Sequence, residues 1–167
     1  MQIPRLFGIS LLTTAALAQG AIVSPVGAAT VDGSGANGFP FASATVRRYQ
    51  QIHSDLGAAP LQITSLSFRL SAGTTNYLGT RITDVELYMG EGVSALQPSY
   101  TFDDNYVAPK TLVIPRSFIT FGPQGQAVSP GPNPFTSNMD FLLPAPFLYT
   151  GANSLVWELH NFGVTTG

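Results

Sequence analysis

Ile82-Thr83-Asp84-Val85-Glu86-Leu87-Tyr88-Met89 is the stretch that decides the fold class of this chain. Val85, Leu87 and Met89 alternate with Asp84, Glu86 and Tyr88, so an extended backbone here has one apolar side and one polar side. A period of two marks a strand with one buried face, because helical side chains return to a face every three or four residues. The pattern recurs over residues 63–70, where Leu66, Phe68 and Leu70 oppose Ser65, Ser67 and Arg69. It recurs again over 154–162, where Leu155, Trp157 and Leu159 oppose Val156, Glu158 and His160. Weaker strand patterns cover 45–53, 111–114, 117–121, 139–143 and 147–149. Turn signals separate them: Ser71-Ala72-Gly73, Gly90-Glu91-Gly92, Asp103-Asp104-Asn105, Pro144-Ala145-Pro146 and Gly151-Ala152-Asn153. Past the first eighteen residues no window keeps a helical apolar period over three turns, and only 93–96 has room for one helical turn. The expectation is an all-β chain folded as an antiparallel β-sandwich, jelly-roll-like, with a closed barrel sharing the same local signature.

Ahead of the strands lies an export signal. Arg5 supplies the positive start, residues 6–17 form a short apolar run, and Ala16-Leu17-Ala18 is a small-x-small cleavage site before Gln19. The run is too short, and too soon followed by Gly20, Pro25 and Gly27, to stay in a bilayer as a spanning helix. The organisation expected is a signal peptide over 1–18, a flexible Gly- and Ser-rich lead-in over 19–43, and a sandwich domain over 44–167. A sandwich commonly pairs another strand after one as strong as 154–162, which leaves open that the sequence continues past Gly167. Residues 122–134 (GPQGQAVSPGPNP) read as a long loop, either functional or a plain surface excursion.

Composition narrows the chemistry. The chain has 7 basic and 9 acidic residues, and loss of the signal removes Arg5 alone. Apart from Arg47-Arg48 there is no basic cluster, and Lys110 is the only lysine. Nucleic-acid binding needs a positive footprint for phosphates, and an anionic membrane surface needs a polybasic one, so neither partner is expected. The absence of cysteine removes thiol catalysis, iron–sulfur clusters and Cys-ligated zinc, and leaves packing to hold the domain. Abundant Gly (17) and Pro (13) suit strands joined by turns better than helices.

Four chemistries can be weighed against plainer readings. Asp84 and Glu86 share a strand face, about 6.5–7 Å apart, a spacing a glycosidase can use, with Glu91 and Glu158 joining only if the fold gathers them. The plain reading is a solvated outer face. His53-Ser54-Asp55 spells the letters of a hydrolytic triad, but strand neighbours point to opposite faces and a triad is assembled in space. Asp103, Asp104 and Asn105 cluster hard oxygen ligands, so calcium is the one cofactor to consider, there or at Asp32 with Asn37; Asp and Asn are also ordinary turn residues. Tyr77, Tyr88, Tyr100 and Tyr106 fall on outer faces or loops, where aromatic rings can stack on sugars. Trp157 alternates with Leu155 and Leu159 and reads as core.

A resemblance runs from Arg48-Tyr49-Gln50-Gln51-Ile52, through Ile63-Thr64-Ser65-Leu66-Ser67-Phe68-Arg69-Leu70 and Ile82-Thr83-Asp84-Val85-Glu86-Leu87, to Phe147-Leu148-Tyr149-Thr150-Gly151-Ala152-Asn153-Ser154-Leu155-Val156-Trp157-Glu158-Leu159. In that order these segments resemble uncharacterised bacterial secreted β-sandwich proteins, many of which carry a C-terminal PEP-CTERM sorting tail. The resemblance implies an exported protein associated with a surface or matrix, and it supplies no catalytic residues. The chain departs from the pattern in lacking Pro-Glu-Pro, a closing apolar span and a terminal basic cluster.

The expected function is a secreted, non-enzymatic structural or interaction module whose partner is an extracellular polysaccharide or matrix protein. The alternative is a carbohydrate-binding module using the four tyrosines, with a glycan-active hydrolase using Asp84, Glu86 or Glu158 behind it.

Overall fold

The computed structural model describes residues 20–32, 44–69, 80–123 and 139–166, and within them the chain forms six strands. These are β1 (Arg47–His53), β2 (Leu61–Ser67), β3 (Arg81–Gly92), β4 (Thr111–Phe121), β5 (Asp140–Tyr149) and β6 (Ser154–Thr166). One sheet runs β1-β6-β3-β4 and the other pairs β2 with β5, every pairing antiparallel. The pairing is nested: β1 with β6, β2 with β5, β3 with β4. Such nesting is what a long hairpin gives when it is rolled up, so the sandwich is a jelly roll. The longest helical segments among the described residues are single 3-10 turns at Val26–Ala29 and Phe102–Asn105. No helix among the described residues is long and apolar enough to cross a membrane.

Alternation along β3 builds the core. Thr83, Val85, Leu87 and Met89 are wholly buried, and beside them Ile114, Phe121, Leu155, Trp157 and Leu159 face Leu61, Phe141 and Tyr149 of the second sheet. Aromatic rings lock the two layers: Phe68 meets Phe141 at 5.8 Å and Trp157 at 5.5 Å between centroids, both edge to face. Such pairs add about 0.5–1.5 kcal/mol each to the burial of their area.

Three expected turns or breaks lie inside strands. Gly90-Glu91-Gly92 continues β3. The chain of residue 105 and the ring of Tyr106 press on these glycines: a Cβ on Gly92 would overlap the Asn105 carbonyl, and one on Gly90 would lie 2.8 Å from Tyr106 Cδ1. Pro144-Ala145-Pro146 lies within β5, where the register jumps between Ile63↔Phe147 and Ser65↔Leu142. Four residues of β5 there oppose one of β2, a bulge that excuses the prolines from donating to the ladder. Segments 111–114 and 117–121 are one strand, β4, with Pro115 in a bulge between the Leu87↔Ile114 and Val85↔Ser117 pairs. Residues 93–96 do not form a helical turn; a turn closes from Gln97 N–H to the Ser94 carbonyl instead.

The stretch 20–32, expected as part of a flexible lead-in, is docked on the sandwich. Val26 N–H and the Ser24 hydroxyl bond Asp55, and Arg69 donates to the carbonyls of Ala28 and Val31. The turn expected at 71–73, Asn37, Tyr77 and most of the 122–134 loop lie outside the described residues.

Candidate functional site

Glu158 gives the outer face of the four-stranded sheet its organisation. Alternation points its side chain away from the core, yet it is 0% exposed, because segment 93–110 crosses over β6 and covers it. The ends of that segment are zipped to β3 by Val93 N–H to the Asn105 carbonyl and Val107 N–H to the Glu91 carbonyl. Beneath it, Glu158 Oε1 accepts from Arg48 Nη2 (2.6 Å), Arg48 Nε (2.9 Å), His160 Nε2 (2.5 Å) and Lys110 Nζ (3.2 Å). Oε2 accepts from Gln50 Nε2 (3.2 Å), Tyr106 hydroxyl (3.3 Å) and Lys110 Nζ (3.2 Å). A buried carboxylate survives only when paired and hydrogen-bonded, and this one is saturated. Burial pushes its pKa up, but the bonds from His160, Arg48 and Lys110 outweigh that and hold it below the ordinary carboxylate range. Burial, with the Glu158 charge alongside, pushes the Tyr106 phenol well above its usual value.

Several of the residues singled out in the sequence meet at this cluster. Asp103 bridges Lys110 Nζ (2.9 Å) and Arg48 Nη2 (3.1 Å), and the Lys110 bond holds its carboxyl below the usual range. Asn105 is buried and ties segment 93–110 together: its oxygen accepts from Ser99 N–H, and its amide donates to Gln50 and to the Ser99 carbonyl. Asp104 accepts only from the Ser99 hydroxyl, at 3.4 Å, among the bonds described. Asp103 thus turns to Lys110 and Arg48, while Asp104 and Asn105 both bond Ser99. No three His, Cys, Asp or Glu side chains among the described residues are placed to hold a metal ion.

Of the described candidate tyrosines, Tyr88 and Tyr106 lie against Lys110. Lys110 Nζ lies 5.0 Å from the Tyr88 ring and 5.4 Å from the Tyr106 ring, while Tyr88 donates to Glu86 and tilts against His160. Tyr100 alone stands fully exposed. The expected carboxylates are also dispersed: Asp84 is paired with Arg116 (2.8 Å), Glu91 accepts from Thr150 and Asn153, and Glu86 and Glu158 flank the His160 ring. Glu158, wholly covered and saturated with donors, has no lone pair to offer a substrate; chemically the cluster is a clasp for segment 93–110.

A second feature escaped the sequence reading. Between β1 and β2 the sheets part around a cleft of about 620 Å³, lined by Ile22, Gln51, His53, Leu61, Phe68 and Trp157 among others. Register places Gln51 and His53 opposite Trp157 and Leu155, on the inner face of the sheet. Two polar residues on the core side of an edge strand were the available signal. His53 Nε2 accepts from Trp157 Nε1 at 2.9 Å, so the neutral ring carries its proton on Nδ1, which faces Ser24 Oγ at 2.6 Å. The Ser24 hydroxyl in turn donates to Asp55 Oδ1 at 2.5 Å. His53, Asp55 and a serine do meet, but the serine is Ser24; Ser54 bonds Ser154 instead. Proton order also rules out nucleophile activation in this state: His53 donates to the serine, and its one acceptor nitrogen is occupied by the indole.

The chain is thus an antiparallel jelly-roll sandwich with a clasped loop on one face and a cleft at one edge. No protein-family model, curated protein or solved structure matches it.

Proposed function

We propose that this chain is an exported, non-enzymatic β-sandwich that acts by holding another extracellular component, of the surface- or matrix-associated kind that the PEP-CTERM resemblance implies. The observation that carries the reading is the internal commitment of its chemistry. Glu158 is saturated by Arg48, Lys110 and His160, Asp84 is paired with Arg116, and His53 sits between Trp157 and Ser24. Supporting apolar contact are Leu112 and Phe118 on β4 and Leu142 and Leu148 on β5, all exposed. The test has two arms: turnover of a panel of chromogenic glycosides and esters, and co-sedimentation with extracellular matrix from the producing cells. Retention without turnover is expected; turnover that Glu158→Gln abolishes would replace this reading with the hydrolase one. Export is tested by sequencing the secreted protein, which is expected to begin at Gln19.

The cleft favours a second reading, glycan binding. Its volume suits a small ligand, and amide and hydroxyl side chains (Gln51, Gln62, Ser65) line it beside Trp157. Pull-down on insoluble polysaccharides with Gln51→Ala as the comparison decides: no retention of the parent chain on any of them retires it.

A further inference from the structure

We propose that residues 20–24 are an acid-released strap, lying across the cleft only while the His53 imidazole is uncharged, so that acidification frees them and opens the cleft. Residues 20–24 contribute one wall of the cleft and are attached through Ser24 and, two residues on, through Val26 N–H to Asp55 Oδ2. The attachment is a one-way chain of donors: Trp157 Nε1–H to His53, His53 Nδ1–H to Ser24, Ser24 O–H to Asp55. Only one protonation state satisfies every link. A proton taken from solvent must go to Nε2, the ring nitrogen that holds a lone pair. That lone pair is the acceptor for Trp157, so the charged ring would set N–H against N–H at 2.9 Å. The indole would be left buried without an acceptor, and the ring must leave to be solvated.

The charges around His53 do not rescue the protonated form. Asp55, reached through Ser24, favours it; Asp32 and Arg69, of opposite sign, also line the cleft; β6 behind the ring presents Trp157 and Leu155, which carry no charge. Burial of the ring outweighs the Asp55 attraction and keeps its pKa below the ordinary 6.5. The sign follows by linkage. With the docked-state value depressed, docking is fully supported above pH 6.5 and weakens as pH falls below it toward the docked-state value. Downstream, Arg69 holds the carbonyls of Ala28 and Val31, and arginine stays charged throughout. Release therefore stops within the 3-10 turn Val26–Ala29, at Ala28.

The test is amide hydrogen exchange on the full chain between about pH 7.5 and 5.5, corrected for intrinsic exchange, with Trp157 fluorescence and circular dichroism followed in parallel. Trp157 is the only tryptophan, so all indole emission comes from the side chain that donates to His53. Protection of the Val26 amide, which donates to Asp55 beside Ser24, is expected to fall by up to about tenfold at pH 5.5, with a midpoint shared by the fluorescence change. Ala28 and Val31 keep their protection, and the strand signal is unchanged. His53→Gln offers Trp157 an oxygen acceptor and Ser24 an N–H donor but does not titrate, so its strap is expected to stay protected across the range. Strap protection that ignores pH in the parent chain, a His53→Gln variant that follows the parent, or a fluorescence midpoint apart from the exchange midpoint would each overturn the proposal.

Discussion

Glu158 shows how one side chain can hold a surface together without being on it. Replacing it by Ala leaves Arg48 and Lys110 facing an empty, covered position, a loss of about 3 kcal/mol for breaking a buried pair. In a domain of this size that lowers the melting temperature by roughly 6–12 °C. The pH dependence has a definite sign. With the folded-state pKa of Glu158 below its ordinary 4.5, its contribution is complete above pH 4.5 and is lost as pH falls through the folded value. Asp84, held down by Arg116, and Asp103, held down by Lys110, act in the same direction. Thermal melts below pH 4.5 should therefore fall steeply, and Glu158→Gln should flatten part of that fall. Thr83 is the opposite case: its hydroxyl is wholly buried in the core without a hydrogen-bond partner among the described residues. Thr83→Val keeps the shape and removes an unsatisfied polar atom, so chemical denaturation should show a gain of about 1 kcal/mol.

At the scale of elements, the segment over β6 depends on two glycines that bear no side chain against it. In Gly92→Ala the added methyl meets the Asn105 carbonyl and a Val156 methyl, neither of which can swing away. A cost of about 3 kcal/mol is expected, of the size that overpacking produces, read as a shifted urea midpoint. Gly90→Ala meets the Tyr106 ring at 2.8 Å and the Lys110 backbone at an ordinary 3.5 Å, a milder overlap than the 2.0 Å at Gly92, and should cost less. The strands themselves were legible wherever one face is apolar and the other polar, as in β3, and Trp157 fell in the core as its alternation implied. The prolines of β4 and β5 were not, because proline forbids a ladder bond only where the ladder is regular, and both lie in bulges. Glu158 read as an outer-face residue because alternation gives direction, not cover; what lies over a strand is decided by a segment some fifty residues away. Tyr106 and Asp103 were noticed for the wrong chemistry, since neither sequence nor spacing tells that Lys110 folds between them. Gln51 and His53 were the missed clue, polar residues on the inward side of β1 beside a cleft.

For the whole molecule, calcium is expected to leave stability unchanged. A ligand at a hundred times its dissociation constant stabilises by about 2.7 kcal/mol, so melting with and without chelator would expose one; a rise with calcium would show that Asp103 leaves Lys110 for a metal. The strand order carries a consequence for biogenesis. The last of the described strands, β6, sits between β1 and β3, and Arg48 waits for a partner 110 residues downstream. Ribosome or translocase must therefore deliver the chain through β6 before the principal sheet can close, and closure is slow where pairings are this distant. On the export reading, that delay keeps the chain threadable during passage. A message truncated ahead of Ser154 yields two orphaned sheet borders and, with them, a substrate for aggregation or proteolysis.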